Sequence, residues 1–531
     1  PKPESLMRLT ASSSHALAAL LLAAPLAAQG TPPDLDRYVG RVMKTFTVPG
    51  LSVAIVKDGR VVVAKGYGVR RLGDPAPVDE RTRFGIASNT KLFTATALEL
   101  LVEEGKVEWD APVIRYLPWF AMSDPYVTHE LTVRDLLVHR SGLGLGAGDL
   151  LWWPPSTYNR DEIARRLRYI PLSTSFRSAY AYDNVLYLVA GRVIEAVSGQ
   201  SWEDFVRNRI LRKVGMTDSD VLHSGAKKAG NVAATHAEVE GTVRPVAPFL
   251  SDNTNPAGGI MSGAADMAKW MMVQLDSGRV TGGGRLFEPR AVIQLWRDVT
   301  AVPINPAPEG APHLRPTMAG YALGINVRDY RGRRLLQHTG GLPGYVSKVA
   351  MIPELRLGVV VLTNQESGAA FESIVYHVLD HYLGAKAPDY PAVFERMVKK
   401  NLDEVRAMEG KAAAARDSTS GPSLPLERYA GTYRDPWYGD VKVAREGPGL
   451  VIRFTRSPSL VGDLIHWQHD SFFARWRDRE LRADAYATFW LNHDGSIARL
   501  RLVPSSPLVD FSFDFQDLDL RPVSPDSLAT R

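Results

Sequence analysis

The sequence predicts an α+β protein in two parts. The first is an α/β sandwich, an antiparallel sheet flanked by helices and interrupted by an all-helical insertion. The second is an all-β barrel. Three observations predict this. Strand-like segments stand at both ends of residues 29–390 and enclose a long helical middle. Asp417-Ser418-Thr419-Ser420-Gly421-Pro422 reads as a linker. Beyond it, helical periodicity gives way to short alternating segments rich in Tyr, Phe, Trp, Val and Arg.

The elements follow in order. Arg8, the apolar run 16–24 and the small residues Ala27 and Ala28 have the layout of a secretory signal peptide over 1–28. That places the mature protein in the periplasm or outside the cell, with no stable membrane anchor after cleavage. An amphipathic helix is expected over 35–46. β-Branched runs then flank Lys57-Asp58-Gly59-Arg60, and Asp-Gly between such runs is a strong hairpin signal. Helical patterns occupy 92–104, 132–138, 185–197, 202–214 and 264–276. Strands return at 321–327, 334–338, 346–351 and 357–362, and a helix over 371–383 closes the unit. A charged, alanine-rich helix within 391–424 connects to the β domain, 425–531.

Composition narrows the function. The 531 residues are 45% hydrophobic and 23% charged, as in globular proteins. Sixty-three basic against 58 acidic side chains leave a net charge of +5 with no long basic run, which points away from nucleic acid. With no cysteine, disulfides, zinc-thiolate sites and thiol nucleophiles are excluded. His466, His469 and Asp470 are read as packing and turn residues beside Trp467, so no metal and no cofactor is called for.

Four motifs carry chemistry. Ser88 and Lys91 stand three apart at the mouth of a helical pattern, so a helix beginning at Ser88 stacks them on one face. A desolvated lysine amine can take the proton of a serine hydroxyl. Tyr182-Asp183-Asn184 leads into the next helix and sets a phenol beside an amide. His338-Thr339-Gly340-Gly341 ends a strand whose glycines let a substrate backbone approach its edge. His139-Arg140-Ser141-Gly142-Leu143 is the fourth.

Together these motifs resemble the serine β-lactamase and penicillin-binding-protein superfamily, in its branch of class C-like enzymes, esterases and D-amino-acid peptidases. The resemblance runs over about 49–383 and implies a β-lactamase-like fold. It also implies roles. Ser88 is the acylated nucleophile, Lys91 its base, and Tyr182 a partner in the proton relay. Asn184, His338, Thr339, Gly340 and Gly341 bind substrate, with the backbone N–H groups of Ser88 and Gly341 as oxyanion hole. The segments 426–433 and 466–473 resemble the small lipocalin-like domain found after such hydrolases, which could cover the active-site mouth or mediate oligomerisation.

Two departures bear on substrate. His338 stands where many antibiotic-hydrolysing members carry a lysine, and histidine is only partly charged near neutrality. That favours a small-molecule ester, amide or short peptide containing D-amino acids over a β-lactam or a D,D-carboxypeptidase substrate. Asp183 places a carboxylate where serine or alanine is common, a charge that would suit a substrate amine. A non-catalytic penicillin-binding or scaffold protein is the alternative from another class. His139 is read as structural. Trp152 and Trp153 either rim the pocket or pack the surface.

Overall fold

The computed structural model describes residues 30–225 and 230–524; the expected signal peptide lies outside them. Nine strands form one antiparallel sheet. In chain order they are β1 (Gly50–Lys57), β2 (Arg60–Arg71), β3 (Asp74–Pro77), β4 (Thr300–Ala301), β5 (Ala319–Tyr321), β6 (Asn326–Tyr330), β7 (Arg333–Leu342), β8 (Tyr345–Ile352) and β9 (Leu357–Thr363). Their spatial order is β3-β2-β1-β9-β8-β7-β6-β5-β4, so the two ends of the domain meet where β1 pairs with β9. The β1–β2 hairpin turns at Asp58 and Gly59, both at positive φ, as its Asp-Gly predicts.

Both faces of the central strands are buried, which is why β1 and β9 read as nearly continuous apolar runs. Alternate residues serve different cores. Leu51, Val53, Ile55, Val359 and Val361 pack with α1 (Leu35–Thr45), α5 (Gly368–Leu383) and the start of α6 (Tyr390–Ala414). Ala54, Val56, Val360 and Leu362 face α2 (Lys91–Glu103), α3 (Val185–Ser198) and α4 (Ala264–Leu275).

Two expected elements are different in the structure. The helix over 132–138 is only a 3₁₀ turn, Asp135–Leu137. The Asp135 carboxylate accepts the Thr132 N–H and hydroxyl and pairs with Arg140 and Arg177, so local side-chain bonds replace the helical ladder. The strand over 321–327 is two strands, β5 and β6, joined where Ala322 N–H donates to the Ile325 carbonyl. Gly324 makes that turn at φ 77°, and a Cβ there would lie 2.7 Å from the Lys91 backbone.

After α6, eight antiparallel strands run from Gly431–Asp435 to Arg521–Pro522 in a nearly closed barrel. A bridge between Leu500 and Leu520 brings its ends together. The apolar core of the first domain continues without a break into the barrel through residues such as Trp437, Phe513 and Phe515.

Candidate active site

Ser88 sits in a 3₁₀ turn, Ala87–Thr90, and α2 begins at Lys91 rather than at Ser88. Ala87 is held at φ 48°, an uncommon conformation for a residue with a Cβ. The sheet fixes this turn. Ser347 Oγ on β8 donates to the Ile86 carbonyl and accepts from Asn89 Nδ2, each at 2.8 Å. Gly340 on β7 must be glycine, because a Cβ would lie 2.2 Å from the Ile86 carbonyl oxygen.

Lys91 is fully buried. Its Nζ donates to Ser88 Oγ at 3.1 Å, Asn184 Oδ1 at 2.7 Å and the Ala257 carbonyl at 3.1 Å. It lies 4.8 Å from the Tyr182 ring centroid and 5.0 Å from that of Tyr187. None of its direct hydrogen-bond partners is anionic. Burial therefore pulls its pKa from 10.5 down to about 7, and the nearby charges of Asp149 and Asp183 only partly oppose this. An amine of this kind is substantially neutral at physiological pH and can accept the Ser88 proton.

Burial pushes the Tyr182 phenol well above its ordinary pKa, while the Ser88 hydroxyl pulls the other way. Tyr182 is therefore a neutral proton donor near pH 7. Asn184 ends the turn into α3, and its Nδ2 donates to Asp149 Oδ2 at 2.8 Å.

His338 is buried with both ring nitrogens engaged. Nδ1 lies 2.5 Å from the Thr339 carbonyl, which can only accept, so Nδ1 carries the proton. Nε2 then accepts from the Tyr321 hydroxyl at 2.8 Å. Burial, with the Lys91 charge adding to it, drops its pKa to about 3, so His338 is neutral where partial charge was expected. Thr339 and Gly341 alternate with it on the exposed side of β7. Strand β6 pairs with β7 only as far as Gln337, and β8 holds the other edge. No described strand covers 339–342 on the β6 side, and nothing lies within 4 Å of where a Gly341 Cβ would be.

Asp183 does not face a substrate. It is fully buried, accepts the Leu186 N–H at 3.3 Å to cap α3, and lies 3.7 Å from His139 Nδ1. The expectation that its charge meets a substrate amine is therefore corrected. His139 packs among the rings of Tyr180, Tyr182, Tyr187 and Tyr321, at 4.2 Å from Tyr182. Trp152 and Trp153 are buried against Phe249, and Trp152 Nε1 donates to Asp149 Oδ1 at 2.8 Å.

Sequence reasoning missed Asp149, Tyr321 and the barrel residues Phe511, Ser512 and Asp514. All five belong to segments with no motif, and three come from a different domain. The Phe511 ring meets Tyr182 edge-on at 6.1 Å.

The chain belongs to the beta-lactamase family, whose model matches residues 35–382, and members of that family are serine hydrolases. Residues 415–522 match a domain of unknown function, DUF3471. The chain is 30% identical over 434 residues to unguisins hydrolase ungD' of Aspergillus campestris, covering 78% of each chain. It is 27% identical to penicillin-binding protein 4 of Amycolatopsis lactamdurans, over 64% of this chain and 88% of that one. In fold it is similar to the octameric penicillin-binding protein homologue from Pyrococcus abyssi. The TM-score is 0.59 at 22% identity, over 92% of this chain and 99% of that one.

Proposed function

We propose that this serine hydrolase acts by two-step acyl transfer at Ser88, on small esters or on amides and peptides containing D-amino acids. The observation that carries the reading is a fully buried lysine, with its pKa near 7, hydrogen-bonded to Ser88 Oγ at 3.1 Å. Neutral Lys91 takes the Ser88 proton as Oγ adds to the substrate carbonyl. The backbone N–H groups of Ser88 and Gly341 receive the oxyanion. The intermediate collapses, and the leaving group departs with a proton delivered from Lys91 through Tyr182. Water then releases the acyl group. The open edge at 339–342 accommodates the substrate backbone.

The neutral His338 supports esters and amides over substrates held by a carboxylate, since no cation stands at that position. The relative at 30% identity is named as an unguisins hydrolase, which supports hydrolysis as the reaction. Export to the periplasm or medium, and assembly through the barrel domain, belong to the same proposal. N-terminal sequencing of secreted protein tests the first, and mass in solution the second.

The deciding experiment compares a short-chain p-nitrophenyl ester, a D-alanine p-nitroanilide and a cephalosporin, each with wild type and Ser88→Ala. One substrate is expected to dominate, and Ser88→Ala to lose at least about 10⁴-fold in kcat, as when other serine nucleophiles are removed. Retained turnover in Ser88→Ala would overturn the reading. A stable acyl adduct without turnover, seen by intact mass, would identify a binding protein instead.

A further inference from the structure

The barrel-domain loop 506–517 crosses onto the catalytic domain beside Tyr182. Ser512, itself buried, donates from Oγ to Asp149 Oδ2 at 2.9 Å. Asn184 Nδ2 donates to the same oxygen at 2.8 Å, and Asn184 Oδ1 accepts Lys91 Nζ at 2.7 Å. An unbroken chain of hydrogen bonds thus runs from the barrel through Asp149 and Asn184 to Lys91 and Ser88. Asp514 holds the Asp149 loop in place, accepting the Gly148 N–H at 2.6 Å and the Leu150 N–H at 3.0 Å.

We propose that Ser512 and Asp514 of the barrel domain are positioning residues for the reaction at Ser88: they fix Asp149, and through Asn184 they set where Lys91 Nζ sits and which charge faces it. This rests on the reading of Lys91 as the base.

The Asn184 amide can present either its oxygen or its nitrogen to Lys91. An ionised Asp149 only accepts, so it draws Nδ2 to itself and leaves Oδ1 for the amine. The orientation therefore depends on Asp149 staying ionised and aimed. Burial pushes its pKa up to about 7, and donation from Asn184, Trp152 and Ser512 opposes that push. Losing the Ser512 donor favours the acid form. Lys91 then loses anionic support and gives up its proton at lower pH. Around Lys91 stand Asp149, Asp183, His139, His338, Tyr182 and Tyr187, and Asp514 faces Asp149. The histidines are held neutral from below and the tyrosines from above. Asp149 and Asp183 are thus the neighbours of Lys91 whose charge changes near neutrality.

The test is the pH profile of kcat/KM, with kcat and KM separated, on the full-length protein and its best chromogenic substrate. Ser512→Ala is expected to lower kcat about tenfold, the worth of one buried hydrogen bond, with KM within about twofold. Its acid limb moves down by about half a pH unit, and Ser512→Thr restores both values. Asp149→Asn moves the limb further in the same direction, by about one unit. Ser506→Ala, on the same loop, reproduces wild type. An unmoved acid limb in Ser512→Ala means that the loop only packs, and overturns the proposal. Should Ser512→Ala fail to fold, an unmoved limb in Asp149→Asn overturns it equally. Wild-type turnover in Ser88→Ala would instead remove the underlying reading, a separate outcome of the same assay.

Discussion

Two buried polar clusters in the catalytic domain are built in opposite ways. Beneath the sheet, Asp380 is fully buried yet fully matched. Arg331 grips it at 2.6 and 2.9 Å, and the hydroxyls of Tyr330 and Tyr390 donate at 2.6 and 2.7 Å. On the other face, Lys91 is equally buried, but its direct partners are a hydroxyl, an amide oxygen and a carbonyl. A buried charge that is paired and hydrogen-bonded is compensated, and removing one partner is costly. One given only neutral partners is pushed toward its uncharged form, the state a base requires. The arrangement of partners, not depth of burial, separates the structural site from the reactive one.

The sharpest way to break this contrast is Lys91→Met. Turnover should fall by about 10³-fold or more, in the upper range for loss of a general base. The folded protein should also become more stable near neutral pH. The folded pKa lies below that of the unfolded lysine. Between about 7 and 10.5 the unfolded chain therefore binds more protons, and wild-type stability rises with pH across that window. The advantage of the variant in thermal midpoint should shrink as pH approaches 10.5. An unchanged midpoint would mean that the buried amine costs the fold nothing.

Asp380→Asn tests the other cluster. Removing one member of a buried pair should cost on the order of 3 kcal/mol in denaturant unfolding, with the acid limb of kcat/KM left in place. A moved limb would show that the two clusters are coupled. Gly340→Ala should cost about 1–3 kcal/mol through overpacking and lower kcat by displacing the Ser88 turn. Crystallography of the variant would show the shift at Ile86. In the wild type, kcat/KM should fall tenfold per unit below about pH 7 as Lys91 becomes protonated. A limb near pH 4 to 5 would assign it to an ordinary carboxylate instead.

Much of this was legible in the sequence, because it depends on local order along the chain. Ser88 and Lys91 share a turn, Tyr182 and Asn184 lead into α3, and His338, Thr339, Gly340 and Gly341 end β7. In the structure Lys91 bonds both Ser88 and Asn184 and lies 4.8 Å from the Tyr182 ring centroid, the Tyr182 and His338 rings are 6.2 Å apart, and Gly340 packs on the Ser88 turn. The apolar runs of β1 and β9, the Asp-Gly hairpin and the change of texture after the linker determined the two-part α+β architecture. Where the reading failed, side-chain bonds and close backbone approaches decided, some of them distant in sequence. Asp135 outcompeted helix formation at 132–138 through its own side-chain bonds and the distant Arg177. The Lys91 backbone occupies the space beside the Gly324 turn that divides β5 from β6.

The sequence by itself determined the pairing of Ser88 with Lys91, the sheet and the barrel, because periodicity and short motifs encode near neighbours. Only the tertiary structure decided that His338 is neutral, that Asp183 is buried away from the substrate, and that Ser512 reaches Asp149 across 363 positions. Protonation and reach depend on which groups the folded chain brings within a few ångströms and on the water it removes, and neither is written in the local order of residues.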